Sequence, residues 1–276
     1  MNNFPMAGVM GWPVKHSRSP YLHNHWLKSY HIQGAYGYFP VQAGDLPAAI
    51  NGLRSLRLAG ANVTIPHKEM VCQLVDRLDD TAKAIGAANT LVVHDNGEII
   101  GYNSDVFGFV ENLKSGINSH HLLRRAMVLG AGGAARAVIY GLQSLGVEKI
   151  YLANRTIAKA EELAMMFGSI VEPVRLPLDS VLLEDCDLLV NSTALGMSGQ
   201  PPLDIDLAAL PRHAAVNDLV YNPLKTPLLL QAENNGLLAI DGLGMLLHQG
   251  RLGFKAWFGV DPEVTPALHA LIAQTL

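Results

Sequence analysis

Lys68 stands where a reactive amine would be expected. It follows a β-branched run, Val63, Thr64 and Ile65, that reads as a strand stopped by Pro66. The end of a strand leading into a loop is where open α/β sheets present their chemistry. Three further stretches offer small polar groups: Ser17 and Ser19 around Arg18 in HSRSP, Asn89 and Thr90 in GAANTL, and Asn103, Ser104 and Asp105 in GYNSDVFGF. Each alone reads as a turn with local side-chain to backbone bonds. Together with Thr64 and Lys68 they supply hydroxyl, amide, carboxylate and ammonium groups, a set that suits a small, hydroxyl-rich anionic substrate. The competing reading of Lys68 is a surface salt bridge to Glu69 or Asp80.

A second motif, VLGAGGAARAV, runs strand, glycine turn, helix start. Gly130 and Gly132 permit a tight turn and close backbone approach, and Ala135 fills the third small position. The helix N-terminus would then offer free N–H groups and a favourable dipole to a pyrophosphate. The bland alternative is a packed turn with no ligand, but a following strand completes the unit and favours dinucleotide binding. That strand ends LANRT, so Asn154, Arg155 and Thr156 replace the acidic residue that would accept from the ribose hydroxyls of NAD. A guanidinium pairs with phosphate in a forked geometry, and Lys159 adds charge one turn on, so the expected cofactor is NADP.

These groups need strands and helices to hold them. AYGYFPVQ and GANVTIP read as strands, LPAAINGLRSL and MVCQLVDRL as helices, and NTLVVHDNGEIIGYN as a β-hairpin around Asn96-Gly97. After Asp105 a second alternating series begins: strands AMVLG, KIYLAN, DLLVNST, AAVNDLV and LAI, with helices AARAVIYGLQSLG, IAKAEELAMMFG and PLLLQAENNG. The last stretches, MLLHQGRLGFKAWFG and TPALHALIAQTL, are helical. Alternation of this kind predicts mostly parallel sheets, with boundaries near Asn103 to Asp105 and near Asp241.

Composition narrows the function. The chain has 276 residues, 49% hydrophobic and 16% charged, with a formal net charge of -4 and no long Lys/Arg block, which argues against a nucleic-acid partner. No stretch is long and apolar enough for a membrane span, and the N-terminus lacks the pattern of a secretory signal. Cys72 and Cys186 lie far apart, as free thiols in a reducing, cytoplasmic setting would. Among eleven histidines, His23 and His25 tempt a metal reading. Two residues apart on a helix they point to different faces, so no metal is expected, and Leu22, Trp26 and Leu27 read as core.

HSRSP, NVTIPHKE, GAANTL, GYNSDVFGF, GAGGAA, NRT, NSTALGM, YNPLKTPLL and DGLGMLLHQ occur in an order that resembles the shikimate dehydrogenases, from about Gly8 to Trp257. The resemblance implies an α/β fold. An N-terminal α/β substrate domain would span residues 1–104, completed by 242–276 as C-terminal helices return to it. A Rossmann-type NADP domain would span 105–241. It implies NADPH-dependent, reversible reduction of 3-dehydroshikimate to shikimate in aromatic amino-acid synthesis. Lys68 would be the general acid/base and Asp105 its partner; Ser17, Ser19, Thr64, Asn89, Asp105, Tyr221 and Gln249 would hold the substrate. Gly130, Ala131, Gly132, Gly133, Ala134, Asn154, Arg155, Thr156 and Lys159 would hold the dinucleotide. Asp80 also falls on the cofactor's side, and Leu219 and Gly242 approach the nicotinamide.

Three departures stand out: Ser104 where Thr is common, His67 where Phe is common, with consequences for hydration at Lys68, and Ala88 for a frequent Val. A lysine in no special surroundings titrates near ~10.4; partial burial lowers that value and an ionised neighbour raises it. The pair is therefore read as coupled, with Asp105 orienting Lys68 and the substrate hydroxyl. Hinge motion is expected near Asn103 and Asp241, and assembly as a homodimer is left open. The rival readings are a quinate/shikimate dehydrogenase with broader substrate or NAD use, and a non-catalytic NADP-binding module.

Overall fold

The computed structural model describes residues 4–117 and 122–276. Its first elements are β1 (Met6–Gly11), α1 (Ser19–Ser29), β2 (Ala35–Pro40), α2 (Leu46–Ser55) and β3 (Gly60–Val63). Then come β4 (Arg77–Leu78), α3 (Asp80–Ile85), β5 (Thr90–Val93), β6 (Ile99–Tyr102) and α4 (Asp105–Gly116). β1 to β6 form one sheet in the order β2-β1-β3-β5-β6-β4. β1 pairs in parallel with β2 and β3, whereas β5 is antiparallel to both β3 and β6. This sheet is therefore mixed, where alternation of strands and helices predicts a mostly parallel one. The hairpin of β5 and β6 causes the difference, since adjacent strands joined by a short turn must run antiparallel.

Two elements differ from the expectation set by the sequence. Val63-Thr64-Ile65 is not a continuous strand: β3 stops at Val63, although Thr64 N still donates to Met10 O and Trp12 N to Ile65 O. MVCQLVDRL is not a helix either; it is a single 3₁₀ turn over Met70–Gln73 followed by β4. Its apolar residues have helical spacing, yet the sheet claims the chain. Asp76 N donates to Ile99 O, Asp79 N to Gly101 O, and the Asp76 carboxylate accepts from Ile99 N at 2.7 Å and Arg54 Nη2 at 2.6 Å. Tertiary pairing overrides a weak local preference.

The second series is β7 (Arg125–Leu129), α5 (Gly133–Ser144), β8 (Lys149–Ala153), α6 (Ile157–Phe167), β9 (Val171–Val174), α7 (Val181–Glu184), β10 (Leu188–Asn191), β11 (Ala215–Asp218), α8 (Pro227–Asn234) and β12 (Leu238–Ile240). All six strands are parallel, in the order β12-β11-β10-β7-β8-β9. Counted within the series, that is the doubly wound 3-2-1-4-5-6 arrangement. Strand residues alternate between two cores. Val128, Ile150, Leu152 and Val190 pack with Phe109, Val138, Ile139 and Leu163 of α4 to α6. Met127, Leu129, Leu189 and Val216 face the opposite way, against Leu183, Leu228 and Leu229 of α7 and α8. Helices on both faces explain why these strands are continuously apolar.

The chain closes with α9 (Leu243–Phe258) and α10 (Pro266–Ala273). Residues from Leu246 to Thr275 belong with the first sheet in one compact unit that otherwise ends at Phe107, while Gly108–Met245 form the other. Trp257 Nε1 of α9 donates to Leu91 O at 2.9 Å. Trp26, Tyr36, Phe254 and Trp257 surround the fully buried His23, whose ring stacks on Tyr36 at 4.0 Å. His23 is thus a core residue; its two ring nitrogens have no hydrogen-bond partner, and among the described residues no cluster could hold a metal ion. No described helix is long and apolar enough to cross a membrane.

Candidate active site

Lys68 lies four residues beyond Thr64, after the turn in which His67 N donates to Thr64 O. Its backbone is pinned because Ala88 N donates to Lys68 O at 2.9 Å. The side chain turns inward, and Nζ donates to Asp105 Oδ2 at 2.6 Å, with 19% and 7% of the two side chains exposed. The predicted alternative, a surface pair with Glu69 or Asp80, is not what forms; Asp80 is fully exposed and pairs with Lys83 at 3.7 Å. Asp105 opens α4, where a carboxylate gains from the helix dipole, and Asn103 Oδ1 accepts from Val106 N at the same end.

The other Asp105 oxygen accepts from Asn89 Nδ2 at 2.8 Å, and the same amide nitrogen donates to Gln249 Oε1 at 3.2 Å. The orientation of that amide is forced. Asn89 Oδ1 accepts from Ser104 N at 2.7 Å, from Ser104 Oγ at 3.1 Å and from Thr90 Oγ1 at 3.3 Å, and a backbone N–H can only donate. Ser104 Oγ also lies 3.3 Å from Gln249 Oε1, so its single proton has two acceptors within reach and the hydroxyl retained at this position is in use. Gln249 itself is fixed by donation from Nε2 to Leu246 O.

Behind this layer lies a part of the site that the sequence reading missed. Asn62 Nδ2 donates to Thr90 Oγ1 at 3.1 Å and to Asn89 O at 3.2 Å, while its Oδ1 accepts from Tyr36 OH at 2.6 Å. Burial pushes the Tyr36 phenol well above its usual range, opposed by a hydrogen bond with Ser19. An asparagine in the middle of a fully buried strand was the available signal, since buried polar groups need partners. Ser19 is buried at the start of α1, and Ser17 Oγ accepts from Ser19 N at 3.3 Å. His67, beside Lys68 in the chain, is buried and its Nε2 donates to Val41 O at 2.7 Å. Ser17, Ser19, Thr64, Asn89 and Gln249 all belong to the unit that carries Lys68 and Asp105, whereas Tyr221 belongs to the other.

In the parallel sheet, Gly130 follows β7 with φ of 101°, a region that side chains rarely adopt, and a Cβ there would meet Ser192 Oγ at 2.8 Å. Gly132 caps α5 without any side-chain bond, and the first turn holds no acidic residue. Its leading N–H groups are therefore left for an anion, which Gly133 and Ala134 continue. Ala131 packs beside the core. After β8, Asn154 Nδ2 donates to Thr156 O at 2.8 Å, and Arg155, Thr156 and Lys159 are exposed. Arg155 and Lys159 have no carboxylate partner among the described residues. Leu219 and Gly242 do come together: a Cβ on Gly242 would lie 2.3 Å from Leu219 O. These residues fit a dinucleotide bearing an extra phosphate.

A doubly wound parallel sheet with an uncapped glycine turn, in one chain with a half-enclosed lysine–aspartate pair, defines a dinucleotide-dependent oxidoreductase. Models of three regions match: the shikimate dehydrogenase substrate binding domain over residues 9–91, shikimate / quinate 5-dehydrogenase over 113–197, and the shikimate 5'-dehydrogenase C-terminal domain over 242–272. Shikimate dehydrogenase (NADP(+)) of Paramagnetospirillum magneticum is 51% identical, covering 97% of each chain, and that of Roseobacter denitrificans is 49% identical, covering 99% of each. A crystal structure of shikimate 5-dehydrogenase from Thermus thermophilus in complex with NADP(H) and shikimate is 34% identical, with a TM-score of 0.87 over 98% of this chain and 99% of that one. The chain belongs to the shikimate dehydrogenase family.

Proposed function

We propose that the chain catalyses the NADPH-dependent, reversible reduction of 3-dehydroshikimate to shikimate. The contact that carries this reading is Lys68 Nζ to Asp105 Oδ2 at 2.6 Å, backed by the forced amide of Asn89. NADPH, when bound, supplies the hydride. Negative charge then develops on the ketone oxygen, and an ammonium donor aimed at it stabilises the transition state more than the ground state. Lys68 is that donor; in the oxidative direction its amine accepts the hydroxyl proton. Asp105 holds Nζ and leaves the carboxylate edge near Asn89 to orient the substrate. Ser17, Ser19 and Thr64 offer hydroxyls, and Asn89 and Gln249 amides, to the ring substituents; Tyr221 is a further candidate for holding the substrate.

Gly130 to Ala134 would cradle the pyrophosphate, and Asn154 to Lys159 the adenosine phosphate. Leu219 and Gly242 would border the nicotinamide, and Asp80 is a further candidate for contacting the cofactor. Because one matched model is described as shikimate / quinate, quinate is the substrate to test beside shikimate. Small molecules are the partners this activity asks for. Cys72 and a buried Cys186, whose thiol is raised to about 12 by burial, suit a reducing cytoplasm. Lys68→Ala tests the chemistry. Its turnover should fall roughly 10²- to 10⁴-fold while both ligands still bind by calorimetry. Near-normal turnover would remove Lys68 from the reaction.

A further inference from the structure

Arg18 lies between the two serines of the HSRSP loop and has no part in the proton transfer described above. It occupies the N-cap of α1, with φ of -92° and no capping bond from its side chain. Nη1 donates to His16 O at 3.2 Å, and the guanidinium stands 5.7 Å from the centre of the Tyr21 ring. Tyr38 OH donates to Ser17 O at 3.1 Å and so closes the other side of the same loop. Burial and Tyr21 raise the Tyr38 phenol while the Arg18 charge lowers it, which places the cation within electrostatic reach of that ring. The guanidinium is therefore held by packing and by one backbone oxygen.

Its charge is not neutralised. Among the described residues no carboxylate pairs with Arg18 or with the exposed Lys15, and the first turn of α1 carries no acidic side chain. Arg18 Nε is enclosed and has no hydrogen-bond partner, an arrangement that costs free energy. The helix N-terminus adds positive potential at the same place. Over the whole chain the formal net charge is -4, which repels an anion at long range. A local, uncompensated cation between Ser17 and Ser19 opposes that repulsion at the serine loop.

We infer that Arg18 determines specificity for the carboxylate of the substrate, drawing it to the hydroxyls of Ser17 and Ser19 and holding it there. This rests on the reading of shikimate as substrate. The test compares wild type, Arg18→Gln, Arg18→Lys and Lys28→Gln in steady-state oxidation of shikimate at several salt concentrations. Lys28 lies at the far end of the same helix, about 15 Å away and beyond a Debye length of roughly 8 Å, so its variant controls for net charge. Arg18→Gln should raise the KM for shikimate roughly three- to thirtyfold and flatten the salt dependence of kcat/KM, with little change in kcat or in the KM for NADP⁺. Arg18→Lys should recover most of the loss, and Lys28→Gln should match wild type.

With the neutral carboxamide analogue of shikimate, Arg18→Gln and wild type should bind alike in a calorimeter. An unchanged KM and salt slope in Arg18→Gln would overturn the assignment, as would an equal loss with the carboxamide, which would make the effect one of shape. A wild-type protein inactive on shikimate would instead overturn the substrate reading itself. Activity in wild type combined with an indifferent Arg18→Gln would remove only the role of Arg18.

Discussion

Lys68 and Asp105 work as a pair because the carboxylate is satisfied on both oxygens. One takes Lys68 Nζ and the other Asn89 Nδ2, so neither can drift without leaving a buried donor unpaired. Asp105→Asn breaks this. Its new amide NH₂ would face either Nζ or Nδ2, donor against donor, and the lysine would lose its anion. Turnover should fall by roughly a hundredfold or more, read as kcat at saturating substrate, with the fold retained in circular dichroism. Arg155 is tested by a ratio. Arg155→Gln should raise the KM for NADP⁺ by about tenfold or more while leaving that for NAD⁺ nearly unchanged, since only the former carries the extra phosphate. Equal effects on both cofactors would assign Arg155 to the ribose or the fold. Lys68, Asp105 and Asn89 were legible as candidates because each sits where a strand or hairpin ends. Tyr36 and Asn62 were not, because their roles come from strands far apart in sequence, and only the register of β1 with its neighbours brings them together.

Elements with strong local signals formed where they were expected, and those governed by pairing did not. α5, α6 and α8 have clean apolar periodicity, and α8 is capped by Thr226, whose Oγ1 accepts from Leu229 N at 3.3 Å. α3 went unread although Asp79 caps it and Gly86 ends it with φ of 65°, because six residues give too little periodicity to register. β4 replaced a helix because Asp76 and Asp79 are held by the backbone of β6. Thr226 joins two elements. Besides capping α8, its hydroxyl donates at 2.6 Å to Asp218 at the tip of β11, whose buried carboxylate also accepts from Asn191 Nδ2 and Val220 N. Thr226→Val keeps the shape and removes both bonds. Urea denaturation should show a loss of about 2–4 kcal/mol, well above that of an exposed substitution. A loss below about 0.5 kcal/mol would contradict the coupling of α8 to β11.

At the scale of the whole molecule, stability should depend on pH through His23. Burial holds its pKa at about 3 against an ordinary 6.5, so the folded protein keeps it neutral while the unfolded chain protonates it. That contribution is present above 6.5 and drains away as pH falls from 6.5 towards 3, at up to ~1.4 kcal/mol per pH unit. Asp218 acts with the opposite sign: burial raises its carboxyl, so its contribution is full below 3.8 and fades as pH rises through the raised value. Asp76, Asp187 and Asp261 are lowered by their hydrogen bonds and ion pairs, against the cost of burial, and lose their contribution only as pH falls below 3.8. His23→Phe removes the imidazole and leaves Asp218 in place, so the difference between wild type and variant isolates His23. In denaturation curves taken at successive pH values, that difference should grow from about half a proton's worth of slope at 6.5 to about one proton's worth in the middle of the window between 6.5 and 3. An unchanged slope would mean that His23 is already hydrated or paired in the folded state.

The activity is tested most directly by the initial rate of cofactor reduction, followed by the absorbance of the reduced nicotinamide, with shikimate and NADP⁺. It should be run beside shikimate with NAD⁺ and quinate with either cofactor. Strong turnover is expected with shikimate and NADP⁺, and weak turnover in the other three. Comparable rates with NAD⁺ would contradict the specificity assigned to Arg155, and comparable rates with quinate would contradict the preference for shikimate. Silence in all four, from folded protein that still binds NADP⁺, would contradict the activity itself.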